Sequence, residues 1–257
     1  MSSSESKKKY IKWAILAVFL YFILLFINLP ASGLFKLLSH YGISATHSSG
    51  GLWDGKAENL TFKNFYLGNI AWQVRPSPIL KGKMLVKIDI KRTDGFANAQ
   101  GTISITGLIE MDKFDAKIPI ESLLHDKKSP DNWTGSLNAH FTTLRIKQGW
   151  PIYAKGTLDV MDLTGPAQQP INMGSYRFAF PAKRSFGSTL IGDISALEGA
   201  QLSVKGQLTL KPNKSYSLDS LVAATTDAPP NIQAALQYLG PADALGRRPL
   251  AISGSFQ

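Results

Sequence analysis

The chain has 257 residues, and its 28 Lys and Arg outnumber its 18 Asp and Glu by ten. A hydrophobic share of 44% supplies a sizeable core, while 22 Gly and 14 Pro exclude collagen-like and low-complexity classes. Cysteine is absent, so disulfides, zinc–thiolate sites, iron–sulfur clusters and cysteine nucleophiles are excluded together.

The basic excess is uneven. Residues 1–12 carry Lys7, Lys8, Lys9 and Lys12 against Glu5, and the remainder holds 24 basic against 17 acidic residues with no dense run. Nucleic-acid binding calls for a clustered basic face, which is missing. Residues 13–29, from Trp13 to Leu29, hold no charge. As a helix these residues would reach roughly 26 Å, close to a hydrocarbon core of about 30 Å. Pro30 and Gly33 stop it. The lysines before it and the lone Lys36 beyond it predict a cytoplasmic tail over 1–12, a transmembrane helix over 13–29 and an exported domain over 30–257. A cleaved signal peptide ending near Ala31-Ser32-Gly33 is the rival reading, and the length of the apolar stretch favours the uncleaved anchor.

Leu34 to Tyr41 suits a short amphipathic helix. Beyond it the apolar period is two. Met84, Val86, Ile88 and Ile90 face one way and Lys83, Lys87, Asp89 and Lys91 the other, with Leu85 out of step. Ile103 and Ile105 are expected inside, as are Tyr176, Phe178 and Phe180, and Leu202, Val204, Leu208 and Leu210. Four segments beginning at Gly101, Gly135, Gly156 and Gly206 share the form Gly-polar-apolar-polar-apolar, and each reads as a strand opening after a turn glycine. Asp126 to Asp131 and Asp162 to Pro170 read as loops. Asn231 caps a helix with Ile232, Leu236 and Leu239 on one face, ended by Gly240-Pro241. After a turn at Asp243 to Gly246, Pro249 to Phe256 is the last strand.

The class is therefore mainly β: a meander of roughly ten to twelve antiparallel strands with a few short helices. Every alternating strand has one apolar face, and the short helices are too small to cover the sheet they would form. Strong curvature, as a half-barrel or trough, is the expected remedy, with Gly107 and Gly206 permitting bulges and bends. The alternative is an apolar face left open to lipid or a partner.

No chemistry stands out. His40, His47, His125 and His140 show no metal-ligand spacing, and His47 leads into an expected loop, Ser48-Ser49-Gly50. There is no nucleophile elbow or phosphate loop. Asp89, Asp94, Glu110, Asp112, Asp115, Asp159 and Asp162 read as solvated strand faces or turn formers. Trp53 and Trp72 read first as packing residues and second as a stacking platform. No catalytic, cofactor or metal residue is assigned, and no enzyme activity is expected.

These residues carry a resemblance. The basic tail and single span lead into Gly51-Leu52-Trp53-Asp54-Gly55-Lys56-Ala57, then Trp72-Gln73-Val74-Arg75-Pro76 and Leu80-Lys81-Gly82. The chain closes with Leu239-Gly240-Pro241, Asp243 and Gly246-Arg247-Arg248-Pro249-Leu250. Together they resemble the type II secretion system protein N family, with Gly51 where Ser or Thr is usual. The resemblance spans essentially the whole chain. It implies an accessory component of the inner membrane that faces the periplasm and meets other components of the secretion machinery, which moves folded proteins across the outer membrane. It carries over no catalytic residue and no cofactor. The Trp-x-Gly opening is shared with AsmA-like envelope proteins, and the uncovered apolar sheet face makes AsmA-like lipid handling the alternative function.

Overall fold

A computed structural model describes residues 12–21, 24–25, 28–63, 65–76, 82–123, 133–165, 170–181 and 189–255. Readings that fall on residues 1–11, His125, Asp126 to Asp131 and Phe256 lie outside them. The chain divides into two compact units, 1–74 and 75–257.

In the first unit residues 12–21 are helical (α1), as are 24–25. Of the expected transmembrane helix over 13–29, residues 13–21 and 24–25 are helical among the described residues. Residues 22–23 and 26–27 lie outside the description, and among the described residues no helix is long and apolar enough to cross a membrane. Helix α2 (Ala31–Leu38) opens directly after Pro30 and runs into a 3-10 turn (Ser39–Tyr41), so helix begins three residues earlier than the apolar pattern alone placed it. Strands β1 (Ile43–Ser44) and β2 (His47–Gly50) both pair with β3 (Asp54–Phe62), which forms a hairpin with β4 (Phe65–Arg75). The expected loop at 48–50 is thus a strand. It has no alternation to announce it, because His47 and its neighbours Ser48 and Ser49 are all polar. The small core of this unit is Ala31, Ala57 and Trp72, with Phe35, Ile70 and Val74 against it.

The second unit is a meander: β5 (Lys83–Lys91), β6 (Phe96–Ser104), β7 (Leu108–Pro119), β8 (Thr134–Lys147), β9 (Trp150–Gly165), β10 (Ile171–Phe180), β11 (Leu190–Ala196), β12 (Leu202–Leu210), β13 (Ser215–Ala224) and β14 (Arg248–Ser255). Each pairs antiparallel with the next. Helices α3 (Ile120–Leu123) and α4 (Pro230–Leu236) interrupt it. The strand total exceeds the expected ten to twelve because short polar strands such as β2 give no period-two signal.

Register turns the alternation into two faces. One row of paired residues crosses all ten strands: Ile90, Ala97, Ala116, Ala139, Leu158, Phe178, Ile194, Gly206, Ser220 and Leu250. The adjacent row holds Ile88, Ala99, Phe114, Phe141, Gly156 and Phe180. Leu85 pairs with Thr102 on the opposite, polar face, as its odd place in the pattern implies.

The expected strong curling is corrected. The order is open, and β14 pairs with β13 and not with β5. Beyond adjacent strands, β9 approaches β11 and β10 approaches β12, which is the local bend of a sheet and not closure. Phe141 and Phe180 are nevertheless only 7% and 6% exposed. The reason is local. Their ring centroids lie 5.8 Å apart, and Phe114 stands 6.3 Å from Phe141. A Cβ built on Gly156 would meet Phe141 Cδ1 at 2.9 Å, and one on Gly192 would meet Phe180 Cε1 at 2.5 Å. Each ring thus stands over a glycine of the neighbouring strand, and Ala154 and Leu190, with Leu144, Leu158 and Leu208 against them, complete the cluster. The same arrangement puts Tyr216 over Gly254 and Trp133 over Gly165.

Other expectations change in detail. Ile105 is 84% exposed, because β6 stops at Ser104 and a turn follows in which the Gly107 N–H donates to the Ser104 carbonyl at 2.9 Å. Gly107 is in that turn at φ +75° and not inside a strand. Gly101, Gly156 and Gly206 sit within strands and do not open them, whereas Gly135 lies near the start of β8. Gly101, Gly135 and Gly156 fall at register shifts, where one strand carries an extra residue. Gly206 stays in register, and a Cβ there would collide with the Asp219 carbonyl and Ser220. β9 continues through Asp162 to Gly165, so the expected loop begins later. The N-cap position of helix α4 is Pro229, which makes no side-chain cap bond, and Pro230 lies in the first turn. Asn231 is therefore already inside the helix.

Gly192→Ala should lower stability by about 1–3 kcal/mol through overpacking, and Phe180→Ala by about 3–5 kcal/mol, in urea unfolding followed by circular dichroism. The double variant should lose less than the sum, since the missing ring makes room for the new methyl. Strict additivity would contradict the ring-over-glycine account.

Candidate interaction surface

Trp72 is a packing residue. It is 8% exposed, its Nε1 donates to the Leu52 carbonyl at 3.2 Å, and Phe35 meets it edge-on at 5.9 Å. A Cβ on Gly55, directly across the hairpin, would meet its Cη2 at 2.9 Å. Of the Gly51–Ala57 motif, Gly55 is therefore spent on admitting an indole. Trp53 is half-buried in the bend before β3, where its carbonyl accepts the Val74 N–H. The motif joins strand to strand.

Several carboxylates of the polar face are taken up by cations on the same strand or on strands one or two places away. Glu110 Oε2 accepts from Lys83 Nζ at 2.8 Å, and its Oε1 lies 3.0 Å from Arg145 Nε. This links β5, β7 and β8, and the Arg145 guanidinium rests 5.4 Å from the Tyr153 ring on β9. The bond from Lys83 holds the Glu110 carboxyl below its ordinary range, against partial desolvation. Asp159 takes a bidentate contact from Arg177, its direct partner across β9 and β10, with both bonds at 2.7 Å. That contact raises the Arg177 pKa. Asp115 contacts His140 across β7 and β8 and lies 3.6 Å from Lys113. Asp89 lies 3.6 Å from Lys87. Asp94 pairs with Arg92, which also donates to Ser122 of α3 at 2.9 Å. Asp112 is the exposed extra residue of a bulge, and the Asp162 N–H donates to Ser175 Oγ at 3.0 Å. Solvated strand faces and turns are where these residues lie.

Among the described residues no three His, Asp or Glu side chains gather as a metal would require. His40 is exposed in the 3-10 turn, and His47 is exposed at the start of β2. The His140–Asp115 pair stands on an open sheet face, where a shallow polar depression is lined by Lys87, Asp89, Asn98, Gln100, Lys113 and Asp115.

The Gly-Arg-Arg-Pro end is built as a clamp. Asp243 Oδ1 accepts the N–H groups of Leu245 and Arg247, both at 2.9 Å, and Oδ2 accepts Arg247 Nε at 2.9 Å. The Gly246 N–H closes onto the Asp243 carbonyl at 2.9 Å, with Gly246 at φ +73° where only glycine is free of strain. Arg248 Nη1 donates to the Gly240 carbonyl, so the turn is also tied back to the residue that ends the 3-10 turn after α4. Aspartate, glycine and both arginines of the motif thus hold one turn together, and that turn aims β14 along β13.

A sequence model of the type II secretion system (T2SS) protein N family matches residues 41–251. The chain belongs to this family. The match spans β1 to the middle of β14 and takes in both the Trp72 hairpin and the Asp243 clamp. No curated protein and no solved structure matches the chain. The protein is a type II secretion component, and membership implies that it meets other proteins of that system. Sequence reasoning named Trp53, Trp72 and the Gly246 turn. It did not find the Lys83–Glu110–Arg145 chain, whose members are 27 and 35 residues apart and meet only once the register is set.

The Asp243 carboxyl is held low chiefly by its bond from Arg247 and by backbone N–H donors. Its contribution to the turn is complete above the unfolded Asp value of about 3.9 and is lost as pH falls through the lower folded value. The amide shifts of Leu245 and Arg247 should therefore titrate together, with a midpoint below that of an ordinary Asp. Asp243→Asn should abolish that titration and speed amide exchange at both sites. Unchanged exchange would contradict the clamp.

Proposed function

We propose that the protein is an inner-membrane-anchored accessory component of type II secretion. In this reading residues 1–12 stay in the cytoplasm, residues 13–29 span the membrane, and residues 30–257 act in the periplasm on other components of the machine. The observation that carries it is the family match over 41–251. The N-terminal segment supports the anchor: Trp13, Ile15, Val18, Phe19, Leu24 and Leu25 are all exposed, an uncharged surface with the chemistry of a lipid contact. The four lysines before it favour retention of the tail in the cytoplasm.

The role is structural and not catalytic. Carboxylates matched with cations on an open face suit adhesion and stiffness better than acid–base work, for which a group must be left poised. No cofactor is called for. The AsmA-like, lipid-handling alternative draws on the apolar face, of which the cluster around Phe141 and Phe180 is the closely packed part.

Deleting the gene in its host should leave the system's exported proteins in the periplasm, read by immunoblotting of cell fractions. Export at the parental level would overturn the assignment. Alkaline phosphatase fused after residue 255 should be active and should remain with carbonate-washed membranes. An inactive fusion, or one released by the wash, would remove the anchor.

A further inference from the structure

We infer that helix α2 is a second membrane contact: its outward stripe of Leu34, Leu37 and Tyr41, with Lys36 beside it, docks onto the anionic lipid surface from which the proposed anchor emerges. This rests on the anchor reading of residues 13–29 and adds to it a lipid contact made by the packed part of the same unit. Helix α2 has two apolar sides. Ala31 and Phe35 turn inward, Ala31 at 1% exposure and the Phe35 ring edge-on to Trp72. Leu34, Leu37 and Tyr41 follow one another at steps of three and four residues, which carries them along another side and into the 3-10 turn. Leu37 is 66% and Tyr41 74% exposed, so the core makes little use of them. A helix needs one apolar face for packing, and a second one left bare serves a contact outside the fold.

Position and charge select lipid as the occupant. The Leu29 carbonyl accepts the Leu52 N–H at 3.0 Å, and Pro30 forms a bridge with Gly51. Pro30 alone separates Leu29, the last residue of the apolar stretch, from the buried Ala31. No linker therefore lies between the anchor and α2, whose eight residues rise only about 12 Å in all. At the far end the Gly42 carbonyl accepts the Lys63 N–H at 2.6 Å, so the stripe is held in one orientation on the hairpin. From Ser6 to Trp53 the chain has no Asp or Glu, while Lys36 is exposed next to Leu37. An anionic surface thus meets no like charge along this stretch. Leu34 and Leu37 suit the acyl boundary, Tyr41 keeps its hydroxyl at the level of the headgroups, and Lys36 extends its ammonium towards phosphate. Leucine with an aromatic on one side and a basic residue beside them is the make-up of a helix lying in the interface plane. The lipid surface is at hand wherever the anchor is inserted, whereas a protein partner would first have to be recruited.

The chain has no cysteine, so a single introduced one carries a dye without background. The full chain is reconstituted into vesicles of phosphatidylethanolamine and phosphatidylglycerol that hold no other protein. An environment-sensitive dye is placed at Leu37→Cys, at Tyr41→Cys, at Val18→Cys of α1, or at Glu58→Cys, which is exposed on β3. Lipids with a quencher on the headgroup should quench the dye at 37 and 41 several-fold more than at 58, and emission at 37 and 41 should lie further to the blue. Lys36→Glu, or exchange of phosphatidylglycerol for phosphatidylcholine, should weaken the quenching at both positions. Val18→Cys, probed with lipids quenched in the acyl chain, reports the anchor separately. Quenching at 37 and 41 no stronger than at 58, with 18 quenched, would overturn the docking of α2 and leave the anchor standing. A dye at 18 that escapes quenching would overturn both. Quenching at 37 and 41 that responds neither to lipid charge nor to Lys36→Glu would overturn the anionic selectivity. Shielding of 37 and 41 in cell membranes but not in these vesicles would assign the stripe to a protein and overturn the proposal.

Discussion

Aromatic rings laid across glycines are the contact on which the larger unit depends. A single sheet with one apolar face has a standing problem: its side chains need a second layer to bury them. Here α3 and α4 are too short to provide one. The rings of Phe141 and Phe180 turn down over Gly156 and Gly192 instead, and reach core-like burial within a single layer. Each such ring hides roughly 1.5–3 kcal/mol of apolar surface. The glycines cost strand propensity in return, and the ring restores the packing that a missing side chain would have supplied.

The polar face meets a different constraint. Strands of this length pair correctly only if a one-residue slip is costly, because a slip exchanges the faces. On the apolar side the ring–glycine matches enforce register. On the polar side the Arg177–Asp159 pair and the Lys83–Glu110–Arg145 chain do the same. They are half-exposed, and each adds little stability by itself. Their value lies in position: every one joins neighbouring strands, or strands two apart, at a single register.

The turn before β14 is ordered by side chain and backbone together. Asp243 holds the N–H groups of Leu245 and Arg247 and the Arg247 guanidinium, the Gly246 N–H closes onto the Asp243 carbonyl, and Arg248 ties the same turn to Gly240. β14 therefore enters its unbroken register against β13 from a fixed start.

Much of this was legible in the residues themselves. Period-two alternation identified β5, β10 and β12 and their inward side chains, including Leu85 as the exception, and turn chemistry located the Gly246 turn. The lack of cysteine removed whole classes of chemistry. These features are local, so neighbours in sequence determine them. The mid-strand glycines read as strand openings for the same reason: a glycine in a turn and a glycine beneath a ring look alike until the strand beside it is known. The burial of Phe141 and Phe180 without a second layer, the meeting of Lys83 with Glu110 and Arg145, and the open order of the sheet were settled only by the tertiary structure. Each depends on register between strands distant in the chain, and register arises from many weak cross-strand matches acting at once, which no single segment contains.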